Sequence, residues 1–95
     1  MPMENRRRYP RTHYINIIRY HVAGPEKIHV SGVSVDISKG GLGMITDYPL
    51  GVGNVLVFEE EFELKTNNIS IKASIVRWAR AIEKNRHRVG LEFVR

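Results

Sequence analysis

The sequence predicts an all-β fold, a small six-stranded antiparallel barrel preceded by a flexible basic N-terminal arm. Three observations carry that expectation. From Tyr14 to the end the chain is a succession of short extended segments rich in isoleucine and valine. Gly, Pro and Asn signals separate them. No segment long enough to be more than one helical turn shows a 3.6-residue period. Closure follows from size, because a chain of 95 residues could not otherwise hide the open edges of so small a sheet.

Taken in order, residues 1–12 read as the arm. They are polar and basic, include Pro2 and Pro10, and offer too little apolar surface to offset the entropy of ordering. The barrel is assigned to residues 13–95. Its first strand is Tyr14 to Val22, ended by Gly24-Pro25. The second, Ile28 to Ser38, changes register near Gly32, where a bulge or bend is expected. Beyond that point Val33, Val35 and Ile37 alternate with Ser34, Asp36 and Ser38. Lys39-Gly40-Gly41 turns into a short strand, Leu42 to Thr46. After Pro49, Gly51 and Gly53 comes Val55 to Leu64, where Glu59-Glu60-Glu61 interrupts the apolar pattern as a bulge or solvated face. Asn67-Asn68 turns into Ile69 to Arg80, and Ala79 to Asn85 is either one helical turn or a hairpin loop. His87 to Val94 closes the set, with Val89, Leu91 and Phe93 toward the core.

Composition narrows the function. Hydrophobic residues at 42% and charged residues at 26% are ordinary for a folded soluble domain. A net charge of +5 with pI near 9.9 favours anionic partners. The absence of cysteine excludes disulfides and thiolate metal sites. No apolar run approaches the ~20 residues of a membrane span, and the N-terminus lacks a signal-peptide core. A cytoplasmic domain is the expectation. His13, His21, His29 and His87 have no metal-ligand spacing. No serine sits in a nucleophile elbow and no carboxylate pair stands out. Neither an enzyme, a metal site nor a cofactor is expected.

Two polar clusters remain. Arg6-Arg7-Arg8-Tyr9-Pro10-Arg11 offers guanidinium forks that suit phosphate and the O6/N7 edge of guanine. Asp36-Ile37-Ser38-Lys39-Gly40-Gly41 puts a carboxylate and a hydroxyl two residues apart on one strand, able to meet the same ligand. Together they describe a site for an anionic guanine nucleotide. Each also has a plainer reading. The arginines are a solvated tail or an arm that grips nucleic acid. Asp36 and Ser38 are turn caps, and the two glycines serve positive φ or close approach.

In these clusters the chain resembles the PilZ domain family, bacterial receptor modules for the second messenger cyclic di-GMP. The family's R-x-x-x-R is matched by Arg7-Arg8-Tyr9-Pro10-Arg11, and its [D/N]-x-S-x-x-G by Asp36 to Gly41. The likeness continues through Gly41-Leu42-Gly43-Met44, Ile75-Val76-Arg77 and Val89-Gly90-Leu91-Glu92-Phe93, over roughly residues 6–95. The resemblance implies a PilZ-like split barrel and a non-enzymatic receptor. Arg7 and Arg11 would grip guanine edges and phosphates. Asp36 would accept from the guanine N1 and N2 donors, with Ser38 supporting the base or a phosphate and Gly40 and Gly41 shaping the turn. Family members often carry a helix after the last strand, which this sequence does not include.

Trp78, the only tryptophan, is either partial core or an outward platform for stacking a purine. It is expected to share a face with Lys72 and Ser74. Arg6, just before the first motif arginine, is associated in the family with holding an intercalated pair, so two cyclic di-GMP molecules per chain are expected. Binding would fold the arm across the barrel and signal to a downstream effector protein. Two other readings compete. One is a basic barrel for single-stranded nucleic acid with Tyr9, Tyr14, Tyr20 and Trp78 as stacking platforms. A carboxylate at its centre, Asp36, makes that partner unlike the site. The other is a protein–protein adaptor without ligand, which the intact motifs oppose.

Overall fold

The structure, a computed structural model, describes residues 11–64 and 69–94, with side chains described for 11–60 and 70–94. It is all-β. The strands are β1 (Thr12–His13), β2 (Ile17–Val22), β3 (Ile28–Ile37), β4 (Gly41–Thr46), β5 (Val55–Leu64), β6 (Ile69–Glu83) and β7 (Arg86–Val94). All pairings are antiparallel. The order β3-β2-β5-β6-β7-β4 closes through β3–β4 into a six-stranded barrel, and β1 is an extra strand on β3.

The expected first strand is broken. Tyr14 N–H still donates to the Val35 carbonyl and the Asn16 carbonyl still accepts from Ser34 N–H, but between them the Ser34 side chain replaces the ladder. Its Oγ donates to the Tyr14 carbonyl at 2.6 Å and accepts from Asn16 N–H at 2.9 Å. Thr12 and His13 instead pair with Ile37 and Asp36, so Thr12 is part of the sheet.

Inside the barrel, Ile18, Tyr20, Leu42, Met44, Leu56, Phe58, Ile71, Val76, Val89, Leu91 and Phe93 form one cluster. Each fully buried aliphatic side chain stabilises by ~1.5–3 kcal/mol relative to exposure. The one phenol taken fully into this cluster keeps a polar partner, with Tyr20 Oη 2.7 Å from Thr46 Oγ1.

Two bulges set which side chains face outward. In β3 the register shifts between Ser34 and Asp36, leaving Val35 as the extra residue. The bulge expected near Gly32 therefore lies farther along. Gly32 is instead a close-approach position, where a Cβ would stand 2.8 Å from both the Ile45 carbonyl oxygen and Met44 Sδ. The clean alternation expected after Gly32 fails for the same reason. Ser34 is buried and Val33 is 43% exposed, while Ile37 packs against the core. In β6 the shift falls between Val76 and Trp78, with Arg77 extra. Ser74 and Val76 point inward, and Arg77 turns the next residue out. Trp78 does not share a face with Ser74, as expected from period alone, and is outward because of the bulge.

The ambiguous segment after Ala79 is a hairpin. β6 continues to Glu83, which pairs with Arg86, and Asn85 takes the turn with φ 60°. The glutamate run also breaks register, between Val57 and Phe62. Glu59 and Glu60 face outward to His29 and Arg19.

Candidate functional site

The site begins with a carboxylate that the β3 bulge turns outward. Asp36 pairs with Gly43 across β4, and its Oδ1 lies close above that glycine, 2.6 Å from where a Cβ would be. Arg11, just before β1, reaches it. Nε and one terminal nitrogen of Arg11 both donate to Asp36 Oδ1, at 3.0 and 2.7 Å. The other terminal nitrogen donates to Ser38 Oγ at 3.4 Å. Both partners of the ion pair are mostly shielded from water, where such charge-assisted bonds are strongest. The two motifs thus meet directly.

Ser38 has a second task. Its Oγ also accepts from the Gly40 and Gly41 N–H groups, each at 3.2 Å. Cap and site roles coexist in one hydroxyl. Neither glycine has positive φ, since Gly53 is the one glycine in that region among the described residues. Gly41 is required for another reason. A Cβ there would overlap the Leu91 carbonyl on β7. Gly40 accepts from Phe93 N–H at 2.9 Å, so both glycines join the turn to β7.

Across the outer surface a single row of paired residues runs from Asp36 through Gly43 and Gly90 to Trp78. The two glycines sit directly opposite each other on β4 and β7. A Cβ on Gly90 would overlap the Trp78 indole. The carboxylate and the indole therefore lean toward one another over a floor with no side chains. With the carboxylate over Gly43 and the indole over Gly90, the two side chains occupy this shallow trough side by side. Glycine within a strand commonly marks such an approach. Trp78 is 43% exposed, and the Arg80 guanidinium lies 5.9 Å from its ring centroid.

A neighbouring row borders the trough, with Val33, Ile45, Arg88 and Arg80 paired in succession. Arg88 stands 3.7 Å from Asp36 Oδ2. On the other side Arg77 Nε donates to Glu92 Oε1 at 2.5 Å. Of the residues expected from sequence, Arg11, Asp36, Ser38, Gly40, Gly41 and Trp78 are brought to one face. Arg6 and Arg7 lie outside the described residues. Sequence reasoning missed Gly43, Gly90, Arg80 and Arg88. The glycines carried a signal in their strand-interior positions. Arg88 carried none, because its neighbours come from other strands, whereas Arg80 carried only its two-residue spacing from Trp78 on β6. Among the described residues no three histidine or carboxylate side chains gather as a metal site, and no helix is long and apolar enough to cross a membrane.

Comparison with known proteins agrees with this fold. The PilZ domain family matches residues 5–95. No curated protein matches the chain. Among solved structures, the Bacillus subtilis inhibitor of motility (MotI/DgrA) superposes with a TM-score of 0.62 at 21% identity. The match covers 100% of this chain and 48% of that one, so the likeness is one of fold and the chain spans about half the neighbour's length.

Proposed function

This chain belongs to the PilZ domain family, and on that premise we propose that it is a non-enzymatic receptor domain for cyclic di-GMP. The observation that carries the reading is the convergence of Arg11, Asp36 and Ser38 at one end of a glycine-floored trough with Trp78 at the other. One guanine edge offers two donors to a carboxylate, a guanidinium suits its O6/N7 edge or a phosphate, and an indole gives it a stacking surface.

In the structure Arg11 and Asp36 satisfy each other. Ligand binding is an exchange of partners, in which Asp36 turns to the base and Arg11 to the base or phosphate. Arg6 and Arg7 join from the preceding segment, and the altered face is what a downstream effector protein reads. The signalling place for such a domain is the cytoplasm, with two ligands per chain.

Single-stranded nucleic acid fits less well. Tyr20, one of its required stacking platforms, is wholly buried. Titration calorimetry with cyclic di-GMP, GTP and a short oligonucleotide tests the proposal. Saturable heat with cyclic di-GMP alone is expected. Heat with the oligonucleotide and none with cyclic di-GMP would overturn it.

A further inference from the structure

Arg80 and Arg88 stand directly opposite each other on β6 and β7. Like charges in that position destabilise a sheet. Arg80 sits over Trp78 and, among the described residues, has no carboxylate partner. Arg88 is half-buried, and its Nε is inaccessible to water with no hydrogen-bond partner. A buried unsatisfied donor is costly. Its one carboxylate neighbour among the described residues, Asp36 Oδ2 at 3.7 Å, is beyond hydrogen-bond length, and Asp36 already accepts two bonds from Arg11. Arg11 and Arg88 thus share one carboxylate while Arg80 has none among the described residues, a surplus of two positive charges on this border of the trough. Arg77, by contrast, is matched by Glu92.

We propose that Arg80 and Arg88 form an anion subsite for a phosphate or phosphodiester group at the border of the trough. A phosphate oxygen set between the two planes would offset their repulsion. A second oxygen would take a terminal N–H of Arg88, whose Nε stays covered, and the guanidinium fork suits phosphate contact. If the receptor reading holds, the group is a phosphodiester of the cyclic dinucleotide, so the identity of that ligand rests on the reading above. The subsite itself rests on the register that apposes the two arginines and on their surplus charge.

The test uses the full chain, its Arg88→Met and Arg88→Lys variants, and two probes, inorganic pyrophosphate and cyclic di-GMP. Thermal unfolding should show Arg88→Met at least as stable as the parent, because the substitution removes a like-charge pair and an orphaned donor while keeping the apolar stem. A less stable variant would make Arg88 a structural partner of Asp36 and overturn the proposal. Pyrophosphate should raise the parent's unfolding temperature and shift the Arg88 guanidinium N–H resonances, with little effect on Arg88→Met and a reduced one on Arg88→Lys. Cyclic di-GMP affinity should fall about tenfold in Arg88→Met, with a flatter salt dependence. If parent and Arg88→Met respond alike to pyrophosphate and bind cyclic di-GMP alike, the subsite is wrong and the receptor reading stands. A parent that responds to pyrophosphate through Arg88 but ignores cyclic di-GMP leaves the subsite standing and removes the receptor reading.

Discussion

Arg11 donates twice to a single oxygen of Asp36, at 3.0 and 2.7 Å, across a sequence separation of 25 residues. The contact joins the two polar motifs directly. It holds Arg11 over the barrel, and it also occupies the acceptor that a guanine would use. Arg11→Ala therefore removes a ligand contact while freeing Asp36. The loss should win, because a charge-assisted contact contributes ~1.5–3 kcal/mol, tenfold or more in affinity. Arg7→Ala should behave similarly. The barrel core lies elsewhere, so circular dichroism should be unchanged. Near-parental affinity in both variants would remove the arginine clamp.

Asp36→Asn separates recognition from charge. An ionised carboxylate accepts from both N1–H and N2–H of guanine, whereas an amide presents a donor of its own to that edge. The variant should lose discrimination between cyclic di-GMP and cyclic di-AMP as well as affinity. Calorimetry with both ligands gives the ratio. An unchanged ratio would reduce Asp36 to the anchor of Arg11.

Two glycines should respond differently to the same added methyl. Gly41→Ala drives a Cβ into the Leu91 carbonyl, backbone that cannot swing aside, and should cost ~1–3 kcal/mol or more of stability. Gly90→Ala meets the Trp78 indole, a side chain at the surface that can rotate away. It should cost less stability but weaken ligand binding by displacing the ring. Thermal unfolding and calorimetry on the two variants check the contrast, and equal stability losses would contradict it.

What could be seen from sequence was whatever depends on near neighbours. Arg11, Asp36 and Ser38 stood out through their spacing, and most strand limits followed from alternation and turn residues. What stayed hidden was decided by the partner strand. Val35 and Arg77 bulge because β4 and β7 each offer one residue where β3 and β6 offer two. Those bulges alone turn Asp36 and Trp78 outward. The apposition of Gly43 with Gly90, and of Arg80 with Arg88, likewise exists only in the barrel's register. The buried Ser34 reads as a surface residue until its bonds to Tyr14 and Asn16 are seen.

Tyr20 predicts an alkaline limit to stability. Burial pushes its phenol above the usual 10.0, against a smaller opposing pull from the hydrogen bond to Thr46. With the folded value raised, the contribution is fully present below the unfolded value and is lost as pH rises through the folded one. Stability should therefore fall above about pH 10. Tyr20→Phe should start lower, having lost the Thr46 contact, and fall less steeply over that range. Denaturant melts at ~pH 8 and ~pH 11 provide the check. Parallel losses in parent and variant would place the alkaline sensitivity on other groups.

Arg6 bears on how many ligands the site holds. Two stacked cyclic di-GMP molecules bring four phosphate charges together, and their repulsion must be offset locally. Arg6, Arg7 and Arg11 on one short segment offset more of it than two arginines would, and an extra guanidinium plane can stack on an exposed guanine. The facing guanidiniums of Arg80 and Arg88 add to the same field. The parent should therefore take two ligands per chain at saturation and Arg6→Leu closer to one, with the parent showing the steeper salt dependence. Calorimetric stoichiometry at two salt concentrations decides between them. One ligand per chain in the parent would leave Arg6 as ordinary tail charge, and Trp78 would then stack on a single base.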